Sequence, residues 1–191
     1  MAPKTKFTKE QIVDAAFEIA RTEGFDSITI RKVAAKLGSS IAPIYVNFKE
    51  VNELVQAVIQ KTDEIAKQIL MDQNSGQPFH DIGVASIRFA KEYPVLFREM
   101  VMKQNDHAKR QDEDVFGLVS MMKGDPHLSG LSDEELMTIL LKMKIFQTGL
   151  SVMVAGGQLP EAFGEEQMIG LMDSMAVDVI SAAHRRKDGQ Q

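Results

Sequence analysis

A chain of 191 residues with 44% hydrophobic and 26% charged side chains has the balance of a globular protein and enough apolar material for a real core. The absence of cysteine excludes disulfides, thiolate metal sites and cysteine nucleophiles, and agrees with a reducing cytoplasm. The net charge of −5 is unevenly spread: Met1–Glu50 holds eight Lys or Arg against six Asp or Glu (+2), and the remainder fourteen against twenty-one (−7), so attraction to phosphate is concentrated at one end.

Met1 to Phe7 is a basic leader with Lys4 and Lys6, read as a solvated tail or as an arm along a polyanion. No apolar run follows it, and no segment approaches the roughly 18 uninterrupted apolar residues of a membrane span, so the expectation is an unexported, cytoplasmic protein. Thr8-Lys9-Glu10-Gln11 is a capping box that opens a first helix, with Ile12, Val13, Ala16, Phe17, Ile19 and Ala20 as its apolar stripe.

The stretch from Ser27 to Leu54 reads as a helix-turn-helix. A helix over about 29–37 puts Ile30, Val33, Ala34 and Leu37 on one face and Arg31, Lys32 and Lys36 on the other. Gly38 suits the turn because it reaches positive φ without steric cost, and the hydroxyls of Ser39 and Ser40 are placed to cap the next helix. That second helix, about 41–47, is too short to stand alone; Ile44 and Phe48 pin it, while Ala42, Pro43, Tyr45, Val46 and Asn47 form its other face. A small rigid helix with an accessible face and flanking cations fits the DNA major groove.

Over Thr8 to Leu54 the chain resembles the N-terminal DNA-binding domain of the TetR family of transcriptional regulators. The matching features are a first helix ending at Glu23-Gly24-Phe25, the Ile28-Thr29-Ile30 entry, Val33-Ala34, Leu37-Gly38, and Ile44-Tyr45-x-x-Phe48 followed by Leu54. The resemblance implies an all-α homodimer with an N-terminal three-helix DNA-binding domain, about nine helices, and a C-terminal helical body for ligand binding and dimerisation. It also implies that the Tyr45 hydroxyl bonds a DNA phosphate. One position departs from the family pattern: Val51 stands where a phosphate-contacting lysine is common, and Lys49 is the nearby cation.

The next helix, about 50–72, carries apolar residues at three- and four-residue intervals from Val51 to Leu70 and belongs to both halves, residues 1–50 and 51–191. Gln73 to Phe79 reads as a loop, and a helix follows over about 81–93, closed by Pro94, which itself suits the first turn of another. Asp106–Asp114 is highly charged, 115–123 is apolar, and Gly124-Asp125-Pro126 breaks the chain. Ser132-Asp133-Glu134-Glu135 is a second capping box, opening a helix to about Ala155 that Gly156-Gly157 stops. A last helix, about 165–186, has acids at its start and His184-Arg185-Arg186-Lys187 at its end, matching the helix dipole. These two helices carry more apolar surface than one contact covers, which points to a second copy of the chain.

The candidate DNA surface is therefore Thr29 and Arg31 at the start of the first helix of the motif, Ser39 and Ser40 in the turn, Ala42, Pro43, Tyr45, Val46 and Asn47 on the second, reading helix, and Lys49 beyond it. Ala42, Pro43 and Val46 suit thymine methyls, and the reading face has no arginine for guanine. Twelve methionines, most after Leu70, serve either as ordinary core filling or as a deformable effector pocket with Phe89, Phe97, Met100, Phe116, Met121, Met143 and Phe146, anchored by Lys144 or Gln147. The four histidines are too scattered for a metal site, no nucleophile-and-base set can be assembled, and no cofactor is called for. The reading is a DNA-binding regulator, a repressor released by a small molecule. The competing one is a helical adaptor that binds a protein partner and no specific DNA.

Overall fold

The structure is a computed structural model that describes residues 7–102, 117–160 and 162–188. The basic leader up to Lys6, the charged stretch 106–114 and Phe116 lie outside the described residues. Within them the chain is wholly helical: α1 (Lys9–Glu23), a 3-10 turn (Phe25–Ser27), α2 (Ile30–Lys36), α3 (Ala42–Asn47), α4 (Val51–Met71), α5 (Pro78–Glu92) and α6 (Pro94–Met102). Residues 117–122 form α7, a 3-10 turn spans Pro126–Leu128, and α8 (Asp133–Ala155) and α9 (Glu165–Asp188) complete the chain.

Both capping boxes form: Thr8 accepts from the Gln11 N–H at 3.2 Å while the Gln11 side chain bonds the Thr8 N–H at 3.0 Å, and Ser132 and Glu135 do the same for α8. Two local expectations fail. α5 begins at Pro78 rather than Asp81, because a proline is well tolerated in a first turn, where its missing N–H has no partner to lose. Ser39 and Ser40 do not cap α3: its cap residue is Ile41 with no side-chain bond, and the Ser39 hydroxyl donates instead to the Ser40 carbonyl at 2.7 Å. Gly38, at φ +61°, makes the turn as its lack of a Cβ allows.

The buried side chains fall into two groups. The first joins α1 to α4 and contains Ile12, Phe17, Val33, Ile44, Phe48, Leu54 and Val58, but it also takes in Phe89 and Ala90 of α5 and Leu96 and Phe97 of α6. The second lies among α5, α7, α8 and α9 around Ile87, Met122, Leu136, Ile139, Met143 and Met172. α5 thus has one end in each group. Three further contacts fasten the α5–α6 corner to the N-terminal helices. The Tyr93 ring meets Phe17 edge-on, Arg21 lies over its face at 5.5 Å, and the Glu99 carboxylate accepts the Phe25 N–H at 3.3 Å beside Gly24.

By length and composition, Asp133–Val154 within α8 could cross a membrane (mean hydropathy 1.3). Lys142 and Lys144 interrupt it, and one side of it is core.

Candidate DNA-binding surface

α3 has six residues, too few to hold a helix by its own hydrogen bonds, so its orientation is set by what it buries. Ile44 is fully buried and Phe48 nearly so; emptying either site would cost about 2–5 kcal/mol. The opposite side is open, with Tyr45 at 52% and Val46 at 70% exposed and Ala42 beside them. Two large unsupported side chains on a pinned helix make a rigid relief that can enter a groove. Pro43 is half-buried, and Asn47 is turned back, its side-chain amide donating to the Pro43 carbonyl at 3.0 Å and leaving the amide oxygen as its remaining acceptor.

α2 stands alongside. Thr29 is its N-cap, accepting the Lys32 N–H at 3.2 Å, so its hydroxyl proton stays free to donate. Arg31, Ser40 and Lys49 are exposed and Ser39 is half-buried. The structure brings Thr29, Arg31, Ser39, Ser40, Ala42, Pro43, Tyr45, Val46, Asn47 and Lys49 onto the α2–turn–α3 unit and the residues just after it.

The cations divide into two sets. Lys32 pairs with Glu23 at 2.6 Å, Arg21 with Glu18 at 3.6 Å, and Lys61 with Asp14. Arg31, Lys36, Lys49 and Lys9 have no acidic partner among the described residues. Unpaired charge beside α3 is what releases counterions from a phosphate backbone.

Residues 12–58 match the family model of bacterial regulatory proteins of the tetR family. The chain carries the TetR-family DNA-binding domain. Solved structures agree along nearly the whole length. A transcriptional regulator from Rhodococcus sp. Rha1 is 16% identical with a TM-score of 0.68, covering 92% of this chain and 97% of that one. SmeT, the repressor of the Stenotrophomonas maltophilia multidrug efflux pump SmeDEF, is 17% identical with a TM-score of 0.63, covering 91% and 90%. A regulator from Saccharomonospora viridis in complex with choline is 13% identical with a TM-score of 0.61, covering 89% and 95%. No curated protein matches the chain in sequence. The tetR-type helix-turn-helix over residues 12–58 is that of a DNA-binding transcriptional regulator, and the chain shares the fold of these solved regulators over most of its length.

In the body, a narrow apolar cavity lies between α5, α8 and α9, bounded by Phe79, Ile87, Leu140, Met143 and Met172. Its free space is about 20 Å³, close to one water molecule. Gln147 and the pair His80–Asp173, joined at 2.7 Å, supply its polar edge. Of the pocket residues expected from the sequence, Met143 and Gln147 line this cavity. Phe89 and Phe97 lie in the N-terminal core with Met100 packed on it, Phe146 is half-buried against the second group, Met121 is half-buried on α7, and Lys144 is exposed. His80, Asp173 and Met172 were missed as cavity residues; the 3.6-residue period puts Met172 on the apolar stripe of α9 and the two polar residues only beside such a stripe, and their meeting depends on how α5 crosses α9.

Proposed function

We propose that the protein is a homodimeric repressor that presents two copies of α3 to a near-palindromic operator and lets go when a small molecule enters its body. The observation that carries this is the exposed α3 face, Ala42, Tyr45 and Val46, fixed from behind by Ile44 and Phe48 and flanked by unpaired cations. In this reading Thr29, Arg31, Ser39, Ser40, Tyr45 and Lys49 hold phosphates, while Ala42, Pro43, Val46 and Asn47 face base edges. The efflux-pump repressor and the choline-bound regulator of the same fold support the repressor and the ligand parts respectively.

The dimer surface is supplied by α8 and α9. Leu141, Ile145, Gly149 and Met153 recur every fourth residue along the open side of α8, and Leu171 and Val177 are exposed on α9. Such a stripe buries against its own copy in a two-fold bundle, which sets the two α3 helices one helical turn of DNA apart, about 34–36 Å, or a multiple of that. Release follows from α5, which reaches into both core groups: a ligand that enlarges the small cavity parts α5 from α8 and α9, and the other end of α5 carries the shift into the DNA-binding core.

Selection of bound duplexes from random DNA, followed by a gel shift, tests the first part. Tyr45→Phe with Pro43→Ala should weaken specific binding about tenfold or more, on the order of 1.4 kcal/mol, without lowering the melting temperature. Unchanged binding would remove the contact assignment. A ligand screen tests the second part: an effector must both stabilise the protein and weaken its DNA complex.

A further inference from the structure

We propose that Lys9, in the first turn of α1, binds a DNA phosphate at the C-terminal end of α3 and supplies the cation that the start of α4 lacks. The inference rests on the placement of α3 in the groove proposed above. Lys9 is the second residue of its capping box, which by sequence alone marks it as a solvated helix start.

Three observations point the other way. The Lys9 ammonium lies 5.2 Å above the centre of the Phe48 ring, and Phe48 is the residue that closes α3. The Lys9 charge is therefore placed beside the residue that closes the reading helix, although Lys9 itself is exposed. Secondly, Lys9 has no ion pair among the described residues, whereas Arg21, Lys32 and Lys61 each face a carboxylate. A π-face attracts a cation without cancelling its charge, so the full unit remains for an incoming anion. Thirdly, the start of α4 already holds an anion of its own. Glu53 folds back to accept the Lys49 N–H at 2.7 Å, and Val51, 39% exposed, adds no charge. A strand of DNA flanking the groove at this end of α3 meets a carboxylate and a valine on α4, so the cations left to face it are Lys49, directly after Phe48, and Lys9 on α1.

The test is the salt dependence of operator binding, read by fluorescence anisotropy on one selected duplex between about 50 and 200 mM salt. Lys9→Met keeps a side chain of similar length and removes the charge; Lys9→Arg keeps the charge. For a dimer on one operator, Lys9→Met should make the slope of log K against log salt shallower by about 1.8, since each phosphate contact contributes about 0.9. Lys9→Arg and the control Lys32→Gln, whose charge is already paired, should leave the slope as it is. The ratio of affinities for the operator and a single-base variant should be unchanged by Lys9→Met, because a phosphate contact carries no base information.

A wild-type slope retained in Lys9→Met overturns the proposal, even if affinity falls evenly at every salt concentration, and leaves Lys9 a cover for Phe48. If Lys9→Met does not fold, judged by its far-ultraviolet melt, Lys9→Gln is read the same way, and loss of the fold in both assigns Lys9 to packing. A wild-type protein that binds no duplex even at low salt overturns the α3 reading itself, a result distinct from an unchanged slope.

Discussion

The Tyr93 ring stands edge-on to Phe17, with 6.0 Å between centroids, so the corner between α5 and α6 is seated in the packing of the DNA-binding helices. Phe89 adds a second ring at 5.5 Å and Arg21 a cation on the open face. The α5–α6 corner and the operator-reading end therefore share one joint.

Tyr93→Ala should lower stability by about 2–3 kcal/mol, below the full cost of emptying a core aromatic because the ring is only half-buried. Tyr93→Phe should stay within about 0.5 kcal/mol of wild type. Urea denaturation of both variants checks this; equal losses would mean that the hydroxyl, and not the ring contact, is what counts.

Ser151 is fully buried on α8, and its hydroxyl has no hydrogen-bond partner among the described residues. A buried polar group without a partner keeps its desolvation cost and gains nothing for it. Ser151→Ala should therefore raise stability by roughly 1 kcal/mol, seen as an upward shift in the denaturation midpoint. A clear loss would show that the hydroxyl is used.

Ile145, 67% exposed on α8, should be tolerated as glutamate by the monomer fold and be disruptive to a two-fold bundle. Ile145→Glu should convert a dimer to a monomer in sedimentation and reduce operator affinity, while the helical signal at low temperature is retained. A variant that remains a dimer would place the interface elsewhere.

Lys91 donates to Glu165 at 2.8 Å, and this bond, followed by its charge and by Arg88, holds the Glu165 carboxyl below its ordinary value of 4.5. A carboxylate whose folded pKa is depressed contributes stability that is present above 4.5 and is lost as pH falls through the lower folded value. Glu165→Gln should thus be less stable than wild type near neutral pH, and the gap should close as the solution is acidified below about 4.5. Denaturation midpoints of the two proteins across that range give the answer, and a constant gap would exclude the linkage.

The DNA-binding end was legible because its signals are local. A capping box, a turn glycine and two apolar residues four apart specify α1, Gly38 and α3 almost residue by residue. Pro78 was legible in principle too, since the rule that starts α6 at Pro94 also starts α5 there. The pocket was not. Phe89 of α5 and Met143 of α8 both sit on apolar faces at helical spacing, yet one faces the DNA-binding core and the other the body cavity, because the two helices pack against different neighbours at those positions. Periodicity reports that a face is buried and is silent on what it is buried against. The Ser39 and Ser40 caps failed for a related reason: propensity places hydroxyls at helix starts, but in this turn Ser39 found the nearer carbonyl of Ser40.

Phe89, Ala90, Leu96 and Phe97 complete the hydrophobic interior of the four N-terminal helices. A hybrid regulator spliced at residue 50, or even after α4, would leave the grafted reader with a missing wall and the recipient with an orphaned apolar corner. Transplants of operator specificity into another scaffold should therefore either carry the chain through α6 or swap only the open side chains of α2 and α3, leaving the seam untouched.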